Sequence, residues 1–405
     1  MISPALPLLL SLAAAPEATA QADASPEASP PRRHTMDAPL PPRPAALTHA
    51  PTPRGREVGT ATTLFVNFDG VDLGSCNPSD SKRNCHWYND DKPIPAFTGT
   101  QQTKVSVLQA MRRDAADFGI RITGQRPPSS EDYTMVVYGG TEEEYGALGS
   151  APPGDCLDQL PNEIAFAHVD GELRDWINGG ATTALHEAGH SWGLDHIETD
   201  RSIMFPTGNN EPTSFLGECS GVVDDVQLSP GEASCPELNT QLCGEANAQD
   251  ARAVLERLFG GPYVDITAPT VDLVEPRDGQ YFQAPASFDV LLDIRDDLHP
   301  QLYDAAFWLG DDPKPEGKPF TDDYFSVTAL PVGTWEFHVE LVDEAGHPGR
   351  LDFTIEVGED PPPEPAQDEG CAMGAGHGRR SRGVSGLGSL VVLLLGLVAR
   401  RRRSR

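Results

Sequence analysis

Residues 186–196 read His-Glu-Ala-Gly-His-Ser-Trp-Gly-Leu-Asp-His, and no other stretch constrains this chain so tightly. Histidines four apart lie about 40° apart around a helix axis and one turn apart along it, so His186 and His190 point the same way. Gly193 can adopt a positive φ, end that helix and let the chain turn so that His196 joins them. Three neutral imidazoles from one short segment suit zinc and leave a fourth position for water. Glu187, beside the first histidine, is placed to act as general base toward that water. A purely structural zinc is disfavoured, because closed sites take four protein ligands and are rich in cysteine.

Eight residues beyond His196 stands Met204, within Ser202-Ile203-Met204-Phe205-Pro206. With this methionine following H-E-x-x-H-x-x-G-x-x-H, residues 60–261 resemble the metzincin zinc endopeptidases, and 193–196 lean toward their matrixin-like branch. The resemblance implies that His186, His190 and His196 bind Zn2+, that Glu187 is the general base, and that Met204 supports the ligands from beneath in a Met-turn. Protein or peptide substrates follow from it. Three departures stand out. Ile197 follows the third histidine, Pro206 stands where some members carry a tyrosine, and residues 21–56 hold no cysteine. The cysteine that keeps matrixins latent therefore has no counterpart.

Around the motif the periodicity predicts strands at 63–68 and 133–138, a helix over 103–118, a helix after Gly179-Gly180, and another over 248–259. Residues 163–169 alternate, which predicts an exposed or edge strand where an extended substrate could pair. This order is an α/β (α+β) arrangement. From 266 the pattern changes to short alternating strands, clearest where Trp335, Phe337, Val339 and Leu341 alternate with Glu336, His338 and Glu340. It predicts an all-β sandwich over 266–358, resembling immunoglobulin-like or fibronectin-III-like repeats. Asp343-Glu344-Ala345-Gly346-His347 echoes part of the histidine motif but reads as a hairpin turn, since an aspartate replaces the first histidine.

The ends read as addresses. Residues 1–20 have the apolar run and small-residue site of a signal peptide, and 21–57 form a Pro/Ala-rich linker or pro-segment ahead of a catalytic domain at 58–265. An acidic Pro-rich spacer at 359–370 precedes a tail at 371–405, in which Cys371, an apolar run and terminal arginines follow in order. That order resembles the myxobacterial C-terminal sorting tail, which implies processing near Cys371 and display at the cell surface. Membrane contact is expected only through this tail. The formal net charge is −31, and the tail's eight arginines mask a more acidic body. Such a polyanion is a poor partner for nucleic acid.

Of seven cysteines, six lie between residues 60 and 261, an even number that suggests three disulfides in an exported domain. Cys76 with Cys85 is the first choice because the loop between them is short. Ca2+ is a secondary expectation: Asp90-Asp91, Asp224-Asp225 and the group Asp293, Asp296 and Asp297 are candidate donors. None has the spacing of an EF-hand loop, and a solvated acidic surface is the favoured reading. His168 is expected at the surface. The alternative to an endopeptidase is a surface adhesin that uses an inactive metallopeptidase scaffold and binds through the sandwich.

Overall fold

The computed structural model describes residues 34–37, 59–87, 92–152 and 154–360. The signal peptide, most of the linker, Asp90-Asp91, nearly all of the spacer, Cys371 and the tail lie outside the described residues. Among those described, no helix is long and apolar enough to cross a membrane. The architecture is mixed α/β, with more sheet than helix.

The first part of the chain builds a five-stranded sheet from β1 (Thr62–Asn67), β2 (Ile120–Thr123), β3 (Thr134–Tyr138), β4 (Gly149–Ser150) and β5 (Ile164–Ala167). Their spatial order is β2-β1-β3-β5-β4, all pairs parallel except β4 with β5. Strand periodicity divides the side chains between two cores. Leu64 and Val66 of β1 face α1 (Gln101–Asp114) and α2 (Ile177–Ser191), packing with Leu108, Met111, Leu185 and Trp192. Phe65 faces the opposite side, among Tyr133, Met135, Val137, Ile164 and Phe166. Helix α1 begins where the Thr100 hydroxyl accepts the Thr103 amide at 3.0 Å, satisfying one of the amides that a helix start leaves without a partner. A third helix, α3 (Ala251–Phe259), closes the domain with Phe259 edge-on to Trp192.

Several elements differ from the sequence expectation. Helix α1 runs Gln101–Asp114 rather than 103–118, and the residues beyond it lead into β2, a short strand that the periodicity did not predict. Helix α2 begins at Ile177, so Gly179 and Gly180 lie inside it. A Cβ at Gly180 would overlap the Tyr138 hydroxyl, so here close packing on the sheet requires glycine despite its cost to a helix. Strand β5 is neither exposed nor at the edge: β3 and β4 flank it and all four residues are buried. Small Ala165 and Ala167 face the helices and large Ile164 and Phe166 the opposite core, so the alternation is one of size between two buried faces. The true edge is the two-residue β4. His168 is buried as well, stacked on Tyr145 with ring centroids 3.9 Å apart.

The second part is a sandwich of two sheets. One pairs Thr270–Glu275, Ala286–Arg295 and Tyr324–Leu330; the other runs Gln280–Gln283, Pro348–Gly358, Gly333–Val342, Tyr303–Leu309 and Lys318–Phe320. Val290, Leu292 and Val327 of the first meet Phe307, Val339 and Ile355 of the second in a core of their own. The Asp343–His347 segment is the expected hairpin turn, with Val342 opposite Pro348. Three disulfides form: Cys76–Cys85, as expected, with Cys156–Cys235 and Cys219–Cys243.

Candidate metal centre

His186, Glu187 and His190 occupy the last turns of α2, and Gly193, at φ +90°, turns the chain out of the helix. The turn is close-packed, since a Cβ on Gly193 would lie 2.8 Å from the Asp155 carbonyl. Asp155 precedes Cys156, whose disulfide partner Cys235 follows Ser234. Ser234 in turn donates its amide to Asp195 at 2.8 Å, and Gln249 clamps the Asp195 backbone at 2.9 and 3.0 Å. This disulfide therefore braces the residue before His196.

The three imidazoles converge. His186 Nε2 lies 3.1 Å from both His190 Nε2 and His196 Nε2. His186 Nδ1 donates to the Ile203 carbonyl and His190 Nδ1 to the Leu194 carbonyl, each at 2.7 Å. A neutral ring that donates through Nδ1 presents only a lone pair at Nε2. Burial pushes His186 down to about 4, so it is unprotonated at neutral pH. With Nδ1 of His186 and His190 committed to carbonyls, their Nε2 atoms are the ones left to face a cation. The backbone carbonyls that fix the rings are the outer partners that metal-bound histidines typically have.

Met204 lies beneath this turn. Its sulfur is 2.7 Å from where a Cβ on Gly189 would stand, between the two helical histidines. Its carbonyl accepts the Ile197 amide at 3.0 Å, and the preceding Ile203 holds His186. Ile197 is fully buried.

Glu187 is also fully buried; no backbone or hydroxyl donor reaches its carboxyl, and its polar neighbour is the Asp37 carboxyl. It lies against Gly149 of β4, where any side chain would overlap the carboxylate. Burial first, then the charge of Asp37, pushes its pKa well above the ordinary carboxylate value.

Asp37 is the residue that sequence reasoning missed. Its carboxylate reaches all three histidines, at 3.1 Å to His186, 3.2 Å to His190 and 2.8 Å to His196. Burial opposes its ionisation, yet the three imidazoles hold its pKa well below the usual range. The four side chains form a group that could hold a metal ion. The backbone leading to Asp37 is extended and paired on both sides. Thr35 and Met36 carbonyls accept the Leu148 and Gly149 amides at 3.0 and 2.7 Å, along the free edge of the sheet. Opposite, His34–Thr35 pairs antiparallel with Thr207–Gly208, and the Met36 amide donates to the Pro206 carbonyl at 3.2 Å. Met36 is fully buried, with its sulfur 3.9 Å from the Thr183 hydroxyl, one turn before His186. One signal was available: His34-Thr35-Met36-Asp37 interrupts a stretch dominated by Pro and Ala with a large apolar residue followed by an acid.

No protein-family model matches the chain, and no curated protein matches it. Among solved structures, the fibronectin(III)-like modules of CbhA from Clostridium thermocellum are 16% identical, over 22% of this chain and 98% of theirs, at a TM-score of 0.19. The PKD domain of human KIAA0319 is 16% identical, over 23% of this chain and 83% of its own, at 0.18. Wild-type OgpA from Akkermansia muciniphila is 12% identical, over 76% of this chain and 97% of its own, also at 0.18. TM-scores this low establish no common fold.

Proposed function

We propose that the chain is a zinc-dependent endopeptidase of metzincin type, made as a precursor whose own residues 34–37 fill the substrate cleft. The observation that carries this reading is an extended backbone segment, hydrogen-bonded on both sides, lying across three convergent histidines and a fully buried glutamate. A cleft that pairs with backbone on both walls is built to receive polypeptide, whatever its side chains. The free wall for a substrate is β4 around Gly149, in place of the strand at 163–169 that the sequence suggested.

His186, His190 and His196 are the residues that would hold zinc, which when bound supplies Lewis acidity toward a water and the scissile carbonyl. Glu187 takes the water's proton and delivers it to the leaving amine nitrogen. Its burial raises its proton affinity, which suits a group that must hold a proton between two transfers. Gly149 lets the substrate backbone approach that carboxylate without a side chain between them.

Asp37 gives the precursor its resting state. Its carboxylate faces all three ligand nitrogens, in the direction a water would need, while Met36 fills the adjacent pocket. An anion from the chain itself thus takes the role for which no cysteine is present. Three disulfides favour an oxidising compartment, consistent with export. Against the adhesin alternative stands Glu187: a buried carboxyl that no backbone or hydroxyl donor satisfies costs about 1–3 kcal/mol, a cost with no purpose in a scaffold that performs no reaction.

The test is Glu187→Gln in an Asp37→Ala background, where the cleft is open. Cleavage of casein should fall by roughly a thousandfold, while elemental analysis still finds one zinc per chain. Undiminished cleavage by the double variant would overturn the assignment.

A further inference from the structure

A second group of donors lies where the sandwich meets the first domain, and its chemistry differs. Asp265 stands in the segment joining α3 to the sandwich, while Asp296 and Asp297 follow the strand Ala286–Arg295. One oxygen from each lies within 4.8 Å of the others. Each carboxylate spends one oxygen on protein donors. Asp265 Oδ1 accepts from the Thr267 amide at 3.0 Å, Asp296 Oδ1 from the Leu298 amide and Gln301 side chain at 2.9 and 2.8 Å, and Asp297 Oδ2 from the Tyr263 hydroxyl. The second oxygen of each, Asp265 Oδ2, Asp296 Oδ2 and Asp297 Oδ1, is buried and makes no hydrogen bond of good geometry, while the Asp296 and Asp297 carboxyls lie close enough to share a proton in the absence of a cation. Asp296 as a whole is only 8% exposed.

Three desolvated carboxylate oxygens turned toward one another are costly unless a cation joins them. Arg112 and Arg121 are near enough to act on Asp296 and Asp297 through charge, but neither forms an ion pair with them. Arg121 donates to Glu131 and Thr63, and Arg112 donates to backbone carbonyls. Burial, with the charges of Asp297 and Asp265, pushes Asp296 up to about 7. Calcium binds oxygen ligands at about 2.3–2.6 Å, so two ligands on one ion are at most about 5 Å apart, the span seen here. No nitrogen or sulfur donor belongs to this trio, which disfavours zinc. On the other side of Asp265, Asp343 and His347 lie within the same reach, but His347 is hydrogen-bonded to Asp343.

We propose that Asp265, Asp296 and Asp297 form a calcium site that fastens the connecting segment to the sandwich. The loop bearing two of the ligands also carries the contacts between the domains. The His299 carbonyl accepts from the Thr123 hydroxyl and the Gly124 amide, both at 2.9 Å, and Arg112 donates to the Leu298 and Pro300 carbonyls. An ion on this loop therefore stiffens the junction as well as the loop. Two other aspartates that the charge pattern suggested do not take part. Asp293 pairs with Arg295 at 2.6 Å, and Asp225 caps its own turn.

The experiment uses the full chain carrying Glu187→Gln, so that self-cleavage plays no part, stripped of calcium and titrated with CaCl2 by calorimetry. Thermal melts are run with and without CaCl2, with MgCl2 as the second arm. One calcium per chain and a rise of several degrees in Tm are expected, with magnesium giving a clearly smaller shift. Asp265→Asn and Asp296→Asn should each weaken calcium binding at least about tenfold; Asp293→Asn should leave it unchanged. Asp265 lies in the connecting segment rather than in a core, so its variant remains informative if Asp296→Asn does not fold. No heat and no shift in the parent chain, an equal response to magnesium, or unweakened binding in the Asp265 variant would each overturn the site.

Discussion

The histidine cluster and the aspartate cluster hold their charges in opposite ways. Three imidazoles, close in sequence, are closed over by one anion, Asp37, from 149 residues away. Three aspartates from two loops have no ion-pair partner among the described residues, and three of their oxygens are buried without a hydrogen bond of good geometry. The first cluster can be sealed by the chain itself, and therefore opened by removing part of the chain. The second can be completed only from solution. One arrangement suits a site that must be kept shut until needed, and the other suits a permanent fastening.

Removing the Asp37 carboxylate should break the comparison most strongly. Asp37→Ala loses the only anion that reaches all three histidines among the described residues but leaves the strand pairing of residues 34–36, so the cleft loosens without the domain unfolding. Peptidase activity of the full chain should rise by about a hundredfold or more, the scale on which an occluding segment depresses apparent activity when the competent state is rarely populated. Amide exchange at Met36 and Gly149 should quicken in the same variant even with Glu187→Gln present, which reports release of the segment independently of catalysis. Unchanged exchange together with unchanged activity would remove Asp37 from this role.

The two clusters were not equally legible. His186, Glu187, His190 and His196 fall within eleven residues, so helix geometry alone brings three of them to the end of one helix, and Met204 is close enough in sequence to read with them. Asp37 is invisible to any such pattern, because its place is set by backbone pairing with β4 and with Thr207–Gly208. Asp296 and Asp297 were among the candidates, but their partner Asp265 arrives from another segment, and a charge pattern cannot tell a convergent trio from a solvated face. The errors in the sheet have a similar origin. In β5 the alanines are small because α2 packs closely on them, and in β2 the polar Arg121 is held by Glu131 and Thr63 at the sheet margin. In each case a tertiary neighbour decided what local pattern could not.

A smaller effect should follow from cutting the brace behind His196. Cys156→Ser with Cys235→Ser releases the loop that packs on Gly193, and with it the Ser234 contact to Asp195. Losing a disulfide of this kind costs about 2–5 kcal/mol of stability. The variant should also bind zinc about tenfold or more weakly, as when outer supports of ligands are lost. Its calcium response should be unchanged, because the aspartate trio has no cysteine near it in sequence. Equal weakening of both metals would mean that the two sites depend on a common framework rather than on separate supports.

The most delicate test concerns Arg112, which belongs to neither cluster yet touches the loop of one. Burial lowers its pKa, while Glu344, Asp296 and Asp297 draw it upward, so its charge partly offsets the aspartates. Its guanidinium also holds the Ile122, Leu298 and Pro300 carbonyls. Arg112→Met keeps most of the side chain's length and apolar stem but removes both the charge and the donors. Without calcium the variant should be about 1–3 kcal/mol less stable, as expected for lost bonds from a charged donor. With calcium, however, the trio has lost its nearby competing cation and should bind the ion more tightly, so the calcium-induced rise in Tm should be larger than in the parent chain. If Arg112 served only as a mechanical tie between the domains, its loss would loosen the loop and shrink that rise. Thermal melts with and without CaCl2 therefore separate an electrostatic partner of the aspartates from a simple tether.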